Sequence, residues 1–214
     1  MIWVYAICDR PDTPAPRRRG LAQAPLDGVR EGGLLAVISR HVHPPGDPAP
    51  DALWAHERVI ERLMTDRAVL PMRFGTRLAD DDALREKLAV RQQEFLTALD
   101  RVRGRVEIGV RAMQPLAAQE VTATPAPSGR AYIEGKLRNG REATAVHEPL
   151  AALAAASTRH AVHRPDELLR ASYLVDRAAV AGFRAAVERV QRPDLAVLCT
   201  GPWPPYSFVA EPAA

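Results

Sequence analysis

Residues 69–76 read Val-Leu-Pro-Met-Arg-Phe-Gly-Thr, VLPMRFGT. Alternate positions place Leu70, Met72 and Phe74 on one side of an extended chain and Val69, Pro71, Arg73 and Gly75 on the other, so the stretch reads as a strand with one wet or partner-facing side. A proline cannot donate to a β-ladder, which predicts an edge strand. The same alternation sends Arg73 away from the apolar face, where it can anchor a carboxylate or meet a partner. Gly75 then turns the chain toward the next helix.

The neighbouring segments fit a mixed fold. Upstream, Ile2–Cys8 and Leu34–Ser39 are short β-rich runs, and Gly32-Gly33 is a turn signal. A helix capped by Asp51 places Val59, Ile60, Leu63 and Met64 in one apolar stripe, on which His56 also falls. Downstream, Asp80-Asp81-Asp82 caps a helix carrying Leu84, Leu88, Phe95 and Leu99 on its core face to about Val102.

A strand restarts in RGRVEIGVRAM, with Val106, Ile108, Val110 and Ala112 alternating against Arg105, Glu107 and Arg111. Gly104 marks a boundary. The stretch PLAAQEVTATPAPSGR is a connection, Tyr132 to His147 a helix, and Pro149 the start of a second, alanine-rich helix. ASYLVDR is strand-like to Val175, Asp176 caps a helix bearing Val180, Phe183, Val187 and Val190, and LAVLCT is a final strand. A further strand before Ser172 is only weakly marked. The expected fold class is α+β with two domains: a small α+β domain over residues 1–103, and a ferredoxin-like α+β domain over 104–214 that ends in a Pro/aromatic segment.

The 214 residues are enough to bury a core, and a 47% hydrophobic, 26% charged composition is that of a folded chain. With 29 Lys and Arg against 26 Asp and Glu, nucleic acid is not the expected partner, and Arg17-Arg18-Arg19 falls in a proline-rich loop. Cys8 and Cys199 lie in apolar segments and suggest buried, reduced thiols and a cytoplasmic setting. No apolar run reaches the length of a membrane span.

Catalytic signatures are sparse. His41 with His43, and His160 with His163 on a possible helix end, have suggestive spacings, but neither pair has the further ligands a metal needs. The sequence contains no nucleophile elbow, P-loop or dinucleotide fingerprint. The expectation is therefore no enzyme, no cofactor and no metal. The alternative is a small ligand-binding protein or enzyme that uses Arg73 and His56 on an anionic ligand. TGPWPPYSF, Thr200–Phe208, combines three prolines with Trp203, Tyr206 and Phe208; such a segment either covers a sheet edge or domain junction, or forms a binding surface.

Taken together, VLPMRFGT after a helix containing His56, SYLVDR at Ser172–Arg177, TGPWPPYSF near the end and the N-terminal VYAI resemble the gas vesicle protein GvpL/GvpF family, in order and across essentially the whole chain. The resemblance implies two α+β domains, the second a modified ferredoxin-like fold. It also implies a non-catalytic cytoplasmic accessory role in gas vesicle nucleation and formation, with the hydrophobic shell protein GvpA and other accessory Gvp proteins as partners. The motif positions it carries over, as candidate partner-binding residues, are Pro71, Arg73, Phe74, Gly75, Tyr173, Asp176, Arg177, Gly201, Trp203, Pro204, Pro205 and Tyr206. It does not distinguish an F-type from an L-type role and implies no oligomeric state.

Overall fold

The structure, a computed structural model, describes residues 1–12, 18–43, 49–114, 129–164 and 166–209. Its strands and helices fall into two compact units, one formed by Met1–Arg105 with Trp203–Ala214 and the other by Val106–Pro202. The fold is α+β. The connection expected at residues 115–128, Arg17 of the basic cluster and most of the proline loop after His43 lie outside the described residues.

In the first unit, β1 (Ile2–Cys8) is buried at every position. The reason is its place in the sheet. It pairs antiparallel with β3 (Leu34–Arg40) on one side and with β4 (Val69–Pro71) and β5 (Arg77–Leu78) on the other. One face of the sheet is covered by α1 (Pro50–Leu63), whose Val59, Ile60 and Leu63 pack with Trp3, Tyr5, Cys8 and Val69. On the other face, Val4 and Ile7 look toward Leu84 and Leu88 of α2 (Asp81–Val90) and Phe95 of α3 (Gln92–Val102). A strand covered on both faces reads as a continuous apolar run, as IWVYAIC does.

An additional strand, β2 (Leu26–Glu31), pairs with β3 through the turn at Gly32-Gly33. Both glycines have positive φ, +53° and +80°, the backbone a two-residue hairpin of this twist requires. The single helix expected from Asp80 to Val102 is two, broken at Arg91. There the guanidinium pairs with Glu94 and stands 5.0 Å from the Phe95 ring centroid. Asp80 caps α2 as expected, accepting from the Ala83 N–H at 3.0 Å. Asp51 is not the cap of α1; Ala49 holds that position, Pro50 opens the helix and Asp51 lies in its first turn.

The second unit runs β6 (Arg105–Met113), α4 (Gly129–Ala151), β7 (Ala156–Arg159), β8 (Glu167–Asp176), α5 (Val180–Val190) and β9 (Ala196–Trp203), with sheet order β7-β8-β6-β9. First and third strands side by side at the centre, each followed by a helix, make the split βαβ arrangement of ferredoxin-like folds. Val106, Ile108, Val110 and Ala112 of β6 are buried, as are Phe183 and Val187 of α5.

Two expectations change here. Pro149 lies inside the last turn of α4 instead of starting a helix, and the alanine run then turns and enters β7. Ala156–Arg159 pair with Ala171–Leu174, and the Ala155 N–H donates to the Leu174 carbonyl at 2.8 Å. Ladder bonds to a buried neighbour outweigh the few tenths of a kcal/mol per residue by which alanine favours helix. His160 therefore sits at the end of this strand, against the Ser172 hydroxyl at 2.9 Å, and not on a helix.

Candidate functional site

The segment VLPMRFGT is a strand for only its first three residues. β4 is at the sheet edge, as Pro71 required, but neither of its faces is wet: Val69, Leu70, Pro71 and Met72 are all buried. Pro71 faces Ala6 and Arg77 faces Trp3, so six steps along this chain span three along β1. The excess forms a bulge. Its ends are held by Met72 N–H to Tyr5 O at 2.8 Å and Val4 N–H to Thr76 O at 2.9 Å. Its turn is closed by the Thr76 N–H and hydroxyl donating to Arg73 O at 3.1 and 2.7 Å. Gly75, at φ +96°, supplies backbone that an L side chain resists.

The bulge exposes Arg73 and turns Phe74 inward. Phe74 leaves the face of Met72 and packs edge-on against Trp3, ring centroids 4.8 Å apart, and against His56 at 5.6 Å. Strict alternation fails because the ladder stops at Pro71.

His56 fixes this arrangement from α1. It is 2% exposed. Its Nδ1 accepts from the Trp3 indole N–H at 3.0 Å and its Nε2 lies 2.8 Å from the Met72 carbonyl. An indole only donates and a carbonyl only accepts, so the ring is the neutral tautomer with its proton on Nε2. Burial pushes its pKa below the ordinary value, against the pull of the Met72 carbonyl. With both nitrogens engaged, His56 is a rivet for the bulge, and the paired use of Arg73 and His56 on an anion finds no support in the geometry.

Around this rivet lies a groove of about 440 Å³ lined by Pro50, Leu53, Trp54, His56, Glu57, Arg73, Phe74 and Tyr206. Leu53 and Trp54 are exposed, at 43% and 59%. Tyr206 packs against the first unit's core and its hydroxyl donates to Glu57 Oε2 at 2.8 Å, a bond strengthened by the carboxylate charge. Burial raises the Glu57 carboxyl above its usual range, and burial with the neighbouring carboxylate raises the Tyr206 phenol. The groove thus joins Tyr206 to Glu57, 149 positions away in sequence.

Of the positions singled out in the sequence, His56, Arg73, Phe74 and Tyr206 meet in this groove, with both ring nitrogens of His56 already engaged by Trp3 and Met72. Pro71 is an edge-strand residue, and Pro204 and Pro205 are buried. Trp203 is 40% exposed. Gly201 is half-buried at φ +105°. Tyr173 is wholly buried in the second unit, its hydroxyl 2.8 Å from His147 Nδ1 and its ring 5.2 Å from that of Phe183. Asp176 and Arg177 are exposed where β8 passes into α5, and the Asp176 side chain makes no cap hydrogen bond. Leu53, Trp54 and Glu57 were not singled out; the available signal was a tryptophan off the apolar stripe of α1.

Among the described residues no three metal-ligating side chains cluster, and no helix is long and apolar enough to cross a membrane. Burial pushes the Cys8 thiol up to about 12 and also raises Cys199, so both favour the unreactive thiol.

The profile of the family described as "Gas vesicle synthesis protein GvpL/GvpF" matches residues 1–210. The chain is 33% identical to gas vesicle protein L of Streptomyces sp. (strain CB03234), covering 96% of this chain and 91% of that protein. It is 31% identical to gas vesicle protein F of the same organism, covering 97% and 98%. The crystal structure of the gas vesicle protein GvpF from Anabaena sp. PCC7120 superposes with a TM-score of 0.80 at 19% identity, covering 98% of both chains.

Proposed function

Because this chain belongs to the gas vesicle synthesis protein GvpL/GvpF family, we propose that it is an accessory protein of gas vesicle assembly that binds the hydrophobic shell protein GvpA and other Gvp proteins as vesicles nucleate and form. It acts in the cytoplasm and at the vesicle, by binding and not by catalysis, through the first of its two units, in which the Pro/aromatic end from Trp203 onward joins Met1–Arg105 and is not part of the expected 104–214 domain. The carrying observation is the groove on α1. There Leu53 and Trp54 stand exposed beside Phe74, Arg73 and Tyr206. A wall that holds gas must be built from subunits with apolar surface, and such subunits aggregate before assembly unless a partner covers them. An open apolar cleft with a large aromatic anchor and an arginine at its rim matches the usual make-up of a binding hot spot.

The test is co-purification of the full chain with GvpA and with each accessory Gvp protein, repeated with Trp54→Ala and Arg73→Ala. Capture by the wild type that falls at least tenfold in Trp54→Ala supports the reading. A folded wild type that captures none of these proteins, or a Trp54→Ala variant that captures them equally well, sinks it.

A further inference from the structure

Helix α1 carries two stripes. His56, Val59, Ile60 and Leu63 form the one it buries in the core. Pro50, Leu53, Trp54, Glu57 and Glu61 recur at the same spacing of three and four residues and make a second stripe on the outer side. The first half of this outer stripe is apolar, and Pro50, Leu53 and Trp54 are all exposed where they line the groove. The second half is acidic: Glu57 is half-buried at the groove and Glu61 is exposed one turn further on. Carboxylates four positions apart on one helix face repel each other. Burial raises the Glu57 carboxyl, the Tyr206 hydroxyl opposes this, and the Glu61 carboxylate adds to it. Among the described residues neither carboxylate has a cation in a salt bridge. Arg58 and Arg62 stand on the neighbouring strip, where Arg58 donates to the Trp54 carbonyl at 3.2 Å. Arg73, on the bulge side of the groove, has an interaction of its own, so the uncompensated charge on the outer stripe is negative.

We infer that this stripe docks an amphipathic helix of a partner protein, which sets large apolar side chains against Leu53 and Trp54 and a lysine or arginine over Glu57 and Glu61. The stripe is about 17 Å long at 1.5 Å per residue, which is about three helical turns. A helix surface offers an extended peptide no free backbone hydrogen bonds, but it receives the periodic side-chain anchors of another helix. A cation over the two carboxylates relieves their repulsion and gains charge-assisted hydrogen bonds. Such a helix would occupy the groove proposed above as the shell-protein site, and its docking rests on that groove being a binding surface.

Fluorescence anisotropy with three synthetic helical peptides of about four to five turns tests this occupant on the full chain. The peptides share one leucine stripe and differ only in whether the residues flanking that stripe at both ends are Lys, Gln or Glu. At low salt the Lys peptide should bind about tenfold tighter than the Glu peptide, with the Gln peptide between them, and high salt should narrow the gap. Glu57→Gln with Glu61→Gln, which keeps an acceptor for the Tyr206 hydroxyl, should reduce the Lys-over-Glu preference to about twofold or less. Trp54→Ala should weaken all three peptides by about the same factor, on the order of tenfold, with circular dichroism confirming that each variant is folded. Saturable binding with this pattern supports the assignment. No saturable binding of the Lys peptide, equal affinity for the Lys and Glu peptides, a preference for the Glu peptide, or a preference that survives the double Gln change overturns it. Peptide binding with the expected pattern but no capture of GvpA sinks the functional reading alone, whereas capture of GvpA by a chain that does not prefer the Lys peptide sinks this occupant alone.

Discussion

Both units bury a histidine against an aromatic ring, and the two histidines do different things. In the first unit His56 holds Trp3 and the Met72 carbonyl, and through them a bulge that exposes Arg73 and shapes a groove. In the second, His147 meets the hydroxyl of Tyr173 inside the ferredoxin-like core. Arg73 and Tyr173 are equally conspicuous as motif residues. One is surface and the other is packing. Motif membership therefore says nothing by itself about contact with a partner; burial and hydrogen bonding decide which residues remain to be used.

The sharpest way to break the comparison is Tyr173→Ala, which empties a fully buried ring site. We expect a loss of about 4 kcal/mol in denaturant unfolding. A loss under about 1 kcal/mol would show that Tyr173 is not core.

His56→Leu comes next. It leaves the Trp3 indole N–H and the Met72 carbonyl buried without their partner, at a cost of about 3 kcal/mol. If His56 is a rivet, any capture found in the co-purification test of the proposed function also drops, because Arg73 and Phe74 lose their anchor. Unchanged stability would remove the rivet altogether.

The pH dependence should be smaller and has a definite sign. Burial lowers the pKa values of His56, His147 and His41 from an ordinary 6.5. Below that value the unfolded chain binds protons that the folded chain refuses, so stability is complete above about pH 6.5 and is lost as pH falls through the folded values. Thermal melts between pH 7.5 and 5.5 should show a falling Tm, with a shallower slope in His56→Leu. A Tm that rises on acidification contradicts a folded chain that holds these imidazoles neutral.

The smallest effects are at the surface. Arg73→Ala should change stability within about 0.5 kcal/mol. Trp203→Ala, at a site 40% exposed, should cost less than about 1.5 kcal/mol. Losses of 3 kcal/mol or more from either would reassign that residue to the core.

Much of the fold was legible because burial periodicity is local. β1, β3, β6 and α5 follow from their apolar patterns, and the Asp80 cap follows from its side chain. β2 was missed because LDGVRE has little apolar content; pairing with β3 supplies what its own side chains do not. β7 was hidden in an alanine run whose propensity favours the wrong state. The break at Arg91 escaped because the apolar stripe continues across it.

By itself the sequence determined that this chain folds as α+β, that Pro71 lies on an edge strand, that Arg73 is not buried, and which family the chain resembles. Only the tertiary structure decided that VLPMRFGT leaves the ladder at Pro71, that Phe74 turns to the α1 face, that His56 is consumed by Trp3 and Met72, and that Tyr206 closes on Glu57 from 149 positions away. Side-chain alternation and proline's missing donor act within a few residues of chain and so can be read in order. A bulge, a tautomer and a groove depend on which distant groups satisfy each buried donor and acceptor, and that is settled only when the chain has packed.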